Sequence, residues 1–372
     1  MKNILLYAHD GVGYGHIARM TNLANVIMKH SDNSQIHFVS GYSNINNFLN
    51  KEIKATIINL PPNQKQVISD DINKNKSEKS SETIRYQTLK SIFTTNKYDY
   101  IIIDFFPFGT KGELFDILLK IKESNPKSSL ILTQRGIAFS KEKTSEFFRD
   151  HLGIDFINEV YSMIVCFCDK KIIDINREYF NRMIKIPIYY CGYLFHERLN
   201  NLNKNRKINI LVDLGGGFEC DEILLSIMKV LTNHKFSQKT ITILLGEYLK
   251  DETKKTVFYK YSKIKHIRFL NAVPRKLIDQ LIVDIVIGCG GYNVTIDSIF
   301  NHIPIVVIPK DNLQEAFIHS NRLSEFSSIK ILPSNNIEFL HDMILTTLNE
   351  RPYHNLASFG KRELAQMFNV GL

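Results

Sequence analysis

The residues best placed for chemistry in this 372-residue chain lie where apolar runs end. Gly288-Cys289-Gly290-Gly291-Tyr292-Asn293 follows the apolar run Val283-Asp284-Ile285-Val286-Ile287 and opens a helix that reaches Asp297. A diphosphate oxygen can approach a main chain closely only where side chains are missing, as at Gly290 and Gly291. The positive end of a helix starting near Asn293 would hold it further. Asp297, one turn on, is placed to accept hydrogen bonds from a ribose diol. Asp213-Leu214-Gly215-Gly216-Gly217-Phe218 repeats the arrangement upstream, and three consecutive glycines leave amides free to face a pyrophosphate. The segment from Phe269 to Pro274 ends another strand and offers backbone groups to a nucleobase. Gln314 and Glu315, beyond Pro309, offer polar side chains to a sugar ring, although ordinary loop polarity explains them as well.

In the first half the chemistry changes from amides to an acid–base pair. His9-Asp10-Gly11-Val12-Gly13-Tyr14-Gly15-His16-Ile17-Ala18-Arg19 ends the first strand, and a glycine loop delivers His16 to a helix start. A neutral imidazole there has a depressed pKa and can take a proton from a hydroxyl at neutral pH; the alternative is a capping or packing histidine. Asp104 ends the strand Tyr100-Ile101-Ile102-Ile103 and either orients His16 or binds loop N–H groups. Arg135, at a third strand end, either holds an anionic or polyol acceptor or forms a surface salt bridge. A nicotinamide dinucleotide is disfavoured, because the strand after the first glycine loop ends in Ser40-Gly41 with no ribose-binding acid.

Positioning these residues requires alternating strands and helices, the pattern of parallel doubly wound sheets. Strands are predicted at 3–8, 35–40, 55–59, 99–104, 129–133, 162–167 and 187–191, then at 208–213, 240–245, 266–269, 283–287, 304–308 and 328–331. The polar segment from Pro61 to about Ser81 reads as a loop. The Asn/Lys/Arg-rich stretch near 199–207 reads as a linker between an N-terminal domain, 1–198, and a C-terminal domain, 208–355. Residues 356–372 read as a terminal helix that crosses back to the first domain. A chain of this length with 44% hydrophobic residues can bury two cores.

The net charge of +9 is spread over scattered lysines and points only to an anionic ligand or membrane surface. Aromatic residues fall inside apolar runs, which argues against nucleic acid as a partner. Five cysteines without metal spacing read as reduced buried thiols. With neither a signal peptide nor a membrane span in the sequence, a cytoplasmic location is expected. Phe105, Phe106 and Phe108 beside Lys111, with Phe147, Phe148 and Arg149, form either core and rim or a surface for peripheral contact with the inner membrane.

Taken together, these residues resemble the GT-B glycosyltransferases of the MurG-like superfamily, and more closely a group of bacterial predicted glycosyltransferases. The resemblance runs over nearly the whole chain: Tyr7-Ala8-His9-Asp10 with Gly13, Gly15-His16 and Arg19; Leu60-Pro61 with Lys65; Asp104 with Pro107, Gly109 and Glu113-Leu114. It continues through Asp169, Asp174, Tyr179, Gly192-Tyr193, the triple glycine, Gly290-Gly291-Tyr292-Asn293 and Asn321-Arg322-Leu323.

The resemblance implies two Rossmann-like domains facing across a cleft, an acceptor site mainly on the first, and a nucleotide-sugar donor on the second, usually UDP-linked; Arg19 and the strand-end Arg135 are the acceptor contacts expected. It also implies inversion at the anomeric carbon. Relatives commonly carry Glu at the position of Asp297 and Gln at that of Ala316, so the donor sugar does not carry over. The expected activity is transfer of a hexosyl or N-acetylhexosaminyl group to a small-molecule, glycan or lipid-linked acceptor, with His16 as base and Asp104 assisting. No metal or other cofactor is expected, since the sequence holds no Asp-x-Asp pair. A nucleotide-sugar hydrolase using the same histidine on water, and a non-catalytic sugar-nucleotide binding protein, are the alternatives.

Overall fold

The structure, a computed structural model, describes residues 2–10, 14–31, 33–42, 55–62, 74–137, 153–198, 207–271, 278, 281–310 and 314–368, with backbone alone for 74–80 and 314–315. The chain divides into two compact units, Met1–Leu194 with Ala357–Leu372, and Phe195–Leu356. Each is built on a parallel sheet.

In the first unit the strands are β1 (Lys2–Ala8), β2 (Ser34–Ser40), β3 (Ala55–Asn59), β4 (Tyr100–Asp104), β5 (Ser129–Gln134), β6 (Met163–Cys166) and β7 (Ile188–Tyr190), in the spatial order β3-β2-β1-β4-β5-β6-β7. Ile4 to Tyr7 and Ile101 to Ile103 are apolar at every position because these central strands are buried on both faces. The order reverses between β1 and β4, which pair in parallel with Tyr7 opposite Ile103. Loops leaving the carboxyl ends of two such neighbours diverge to opposite faces and open a crevice, the usual ligand position in this sheet type. The glycine-loop histidine follows β1, and Asp104 is the last residue of β4.

Helix α1 (Gly15–His30) buries Ile17, Met20, Leu23, Ala24 and Ile27, the apolar stripe expected at helical spacing. The next helix, α2 (Lys74–Thr95), corrects the reading of Pro61 to Ser81 as one polar loop, because its first eight residues are Lys74 to Ser81. Polarity misled there. The helix buries a narrow stripe, Arg85, Leu89 and Ile92, in which the first member is an arginine. Residues 63–73 lie outside the described residues. Helix α3 (Phe115–Ser124) follows β4 through a short turn.

In the second unit β8 (Asn209–Asp213), β9 (Thr240–Leu245), β10 (Ile267–Asn271), β11 (Ile285–Gly288), β12 (Ile305–Val307) and β13 (Lys330–Ile331) lie in the order β10-β9-β8-β11-β12-β13. The switch point is between β8 and β11, the two strands that carry the glycine loops. The core gathers Ile210, Val212, Leu224, Ile227, Ile241, Ile243, Ile285 and Ile287.

The unit boundary falls after Leu194, four residues before the position expected from sequence. Phe195 stacks on Phe300 at 4.7 Å, the His196 N–H donates to Asp297 and the Arg198 N–H donates to Asn301. These contacts tie 195–198 to the second unit; the linker residues 199–206 lie outside the described residues. The C-terminal segment belongs to the first unit, where Tyr193 N–H donates to Ala357 O and Tyr100 Oη donates to Phe368 O. Among the described residues no helix is long and apolar enough to cross a membrane.

Candidate active site and nucleotide loops

The first unit brings His16 and Asp104 together across its switch point. His16 Nδ1 lies 2.5 Å from Asp104 Oδ2. Asp104 is fully buried, and its other oxygen accepts from Arg19 Nε at 3.1 Å, Arg19 Nη2 at 2.6 Å and Thr133 Oγ1 at 3.3 Å. Burial alone would push this carboxyl up, but the Arg19 guanidinium and His16 outweigh it and hold Asp104 well below the usual carboxylate range. An ionised carboxylate only accepts, so the proton of the neutral imidazole sits on Nδ1 and the lone pair on Nε2. Arg19 Nη2, 3.2 Å from Nδ1, is therefore a neighbouring charge rather than a donor to it. Burial lowers the His16 pKa; Asp104 pulls it back up, while Arg19 and Arg135 push it down. The result is a neutral base oriented by a charged carboxylate.

Arg19 was expected among the acceptor contacts, and the structure corrects this. At 1% exposure its side chain cannot reach a ligand; it stands one turn after His16 on the same helix face and is spent on Asp104. Arg135 is half-buried, with its guanidinium 5.8 Å from the Phe105 ring centroid. Gly15 begins α1, whereas Gly13 lies outside the described residues.

Phe105 holds a left-handed backbone, φ 61°, which costs an aromatic residue on the order of 1–3 kcal/mol. Strand β5 imposes it: Phe105 N–H donates to Thr133 O at 3.0 Å, and Gln134 Nε2 donates to Phe105 O at 2.8 Å. The turn sets Phe106 against His9, with ring centroids 4.4 Å apart. Phe105 and Phe108 are buried, which removes both from the apolar surface considered for membrane contact; Phe147, Phe148 and Arg149 lie outside the described residues.

Tyr7, His9, Asp10 and Glu113 stand among the residues of the resemblance, but sequence reasoning gave them no role and passed over Arg85, which joins three of them in a buried network. The His9 ring lies 5.0 Å from that of His16, and its pKa is pushed down to about 3 by burial, with repulsion from His16 whenever that ring is protonated adding to the effect. Next to it, Arg85 grips both oxygens of Asp10 at 2.9 and 3.0 Å and both oxygens of Glu113 at 2.7 Å. Tyr7 Oη adds a 2.5 Å hydrogen bond to Glu113. This clamp joins the end of β1, α2 and the turn before α3. A sequence signal for its centre was an arginine at the head of the Leu89, Ile92 stripe.

In the second unit, Gly215 and Gly217 adopt φ of 66° and 81°, and Gly290 has φ of 81°. These left-handed positions explain why glycine recurs in both loops. A Cβ added at Gly215 or Gly291 would meet nothing within 4 Å, so both loops border open space. Gly246 serves packing instead. A Cβ there would lie 2.4 Å from the Gly216 backbone, so its absence lets the β9 loop pack under the triple glycine. Asn293 lies in the first turn of the helix Tyr292–Phe300. Asp297, in the same helix, is 5% exposed, and its Oδ1 accepts from His196 N–H at 2.8 Å, an anchoring role not evident in the sequence. Phe269 is half-buried in β10 and faces the Phe258 ring at 6.3 Å. Gln314 and Glu315 open the helix Gln314–Ser324, and their side chains lie outside the described residues.

No model of a known protein family matches the chain, and no curated protein matches it by sequence. Solved structures do. The glycotransferase of kitacinnamycin superposes with a TM-score of 0.60 at 11% identity, over 94% of this chain and 91% of that one. MurG of Acinetobacter baumannii gives 0.51 at 12% identity, over 99% and 94%. The fold is that of the GT-B glycosyltransferases. A further structure with this GT-B likeness, a UGT transferase from Siraitia grosvenorii in complex with UDP, gives 0.57 at 9% identity, over 93% and 92%.

Proposed function

We propose that this GT-B protein transfers a hexosyl or N-acetylhexosaminyl group from a UDP-sugar to an acceptor hydroxyl, with inversion and without a divalent metal. The observation that carries the proposal is the 2.5 Å pair of His16 and Asp104, with Asp104 kept ionised by the buried Arg19. That arrangement leaves His16 Nε2 as the basic atom. It takes the hydroxyl proton as the acceptor oxygen attacks the anomeric carbon, and Asp104 stabilises the imidazolium that forms. The bond from the anomeric carbon to the diphosphate oxygen breaks as the new glycosidic bond forms. A single displacement of this kind inverts the centre. The departing negative charge falls to the amides of Gly215 to Gly217, of Gly290 and Gly291, and to the helix beginning at Tyr292.

The UDP-bound transferase of the same fold supports the choice of nucleotide, and the open space at Gly215 and Gly291 supports its placement. The proposal leaves the acceptor as a small molecule, a glycan or a lipid-linked sugar. The test is to incubate the protein with UDP-sugars and an acceptor panel in EDTA, follow UDP release, and read the product's anomeric proton coupling by NMR. Inverted product is expected. Release of free sugar at the same rate with and without acceptor would replace the transferase with a hydrolase.

A further inference from the structure

Both glycine loops offer neutral amides, whereas a diphosphate brings at least two negative charges. A cation stands beside them that no motif announced. Lys310 follows β12 where Ile308 N–H donates to Gly288 O at 2.7 Å, so the chain leaves the sheet alongside the β11 loop. The side chain then reaches back to the β8 loop: Nζ donates to Phe218 O, and the ammonium lies 5.7 Å from the Phe218 ring centroid. Lys310 is 8% exposed, although buried lysines are rare unless paired. Among the described residues it makes no ion pair; its neighbours are the Phe218 carbonyl and the Cys220 thiol, which leave one of its three N–H donors for a ligand.

Its charge bears on both loops. The Cys220 thiol, after the triple glycine, is drawn down by its hydrogen bond with Cys289, against burial, and further by the charge and hydrogen bond of Lys310. Cys289, before Gly290, is pushed up by that hydrogen bond and by burial against the pull of Lys310. Two acids bear on the same pair of thiols: Asp213, whose Oδ1 is engaged by Gly215 N–H at 2.9 Å, and Asp221, whose Oδ1 accepts from Lys250 N–H at 3.0 Å. We propose that Lys310 is the cation that binds the donor's diphosphate and neutralises it as it leaves, a role resting on the nucleotide-sugar reading of the two loops. It makes the site selective for nucleoside diphosphates over nucleosides.

The test is calorimetric titration of the full chain and of Lys310→Gln and Lys310→Met with UDP, uridine and inorganic pyrophosphate at two salt concentrations. Gln keeps an N–H for Phe218 O, which separates charge from local folding; thermal melts of all three proteins accompany the titrations. Both variants are expected to lose about 10- to 100-fold in UDP and pyrophosphate affinity, leave uridine unchanged, and show a flatter salt dependence. Wild-type UDP binding with unchanged affinity in Lys310→Gln would overturn the assignment and leave the nucleotide reading intact. Pyrophosphate binding that needs Lys310, without any UDP preference, would keep the cation and overturn the nucleotide. A wild-type chain that binds neither overturns both.

Discussion

Replacing Arg19 with methionine probes the buried frame behind His16. The substitution keeps the stem that packs in α1 and removes the two hydrogen bonds, 3.1 and 2.6 Å, that reach Asp104 Oδ1. Asp104, at 0% exposure, is left with His16 and Thr133 alone. Breaking one side of such a buried pair costs about 3–5 kcal/mol. For a unit of this size that corresponds to a fall in Tm of roughly 6–20 °C. Arg19→Lys restores charge without the planar fork, so it should recover only part of the loss. The electrostatics shift as well. Arg19 lowers the His16 pKa, so its removal beside a still-charged Asp104 raises it, and the acid limb of activity moves to higher pH. Thermal melts followed by circular dichroism, with NMR titration of the His16 ring, measure both. A Tm within about 2 °C of wild type, together with an unmoved His16 titration, would refute the claim that Arg19 stabilises the buried Asp104 carboxylate and lowers the His16 pKa.

Other outcomes follow from the same geometry. His9 is held neutral, with its pKa pushed down to about 3, while the unfolded chain protonates it below roughly 6.5. Stability should therefore fall as pH drops from about 6.5 toward 3, by at most about 1.4 kcal/mol per pH unit from this group; in His9→Phe that contribution disappears, as pH-dependent melts would show. Gly291→Ala places its Cβ in open space at φ −62°, so it should fold normally yet bind UDP at least about 10-fold more weakly in titration calorimetry. Gly246→Ala drives a Cβ to 2.4 Å from the Gly216 backbone and should instead lower the melting temperature.

Strand positions were legible because β1, β4, β8 and β11 are continuous apolar runs, a signal that needs no partner to be read. His16 and Asp104 were legible for a related reason: each terminates such a run, and in a parallel sheet the carboxyl ends collect at one edge. What the sequence hid was the use of charge inside the fold. Arg19 has His16 one turn before it, yet its burial depends on Asp104, 85 residues away. Arg85 sits in a stretch too polar to suggest a core, and its partner Asp10 is 75 residues distant. Asp297 looked available for a ribose, but the His196 amide, 101 residues earlier, already engages it. A buried ion pair leaves no periodic trace, because the partner that makes burial tolerable is distant in the chain.

Whether the oriented imidazole is the base is decided by UDP release from His16→Ala, with UDP affinity measured on the same preparation. Turnover should fall by about 10²–10⁴-fold while nucleotide binding stays unchanged. Turnover within a few-fold of wild type would contradict the assignment, since the acceptor proton would then leave by a route that does not need His16.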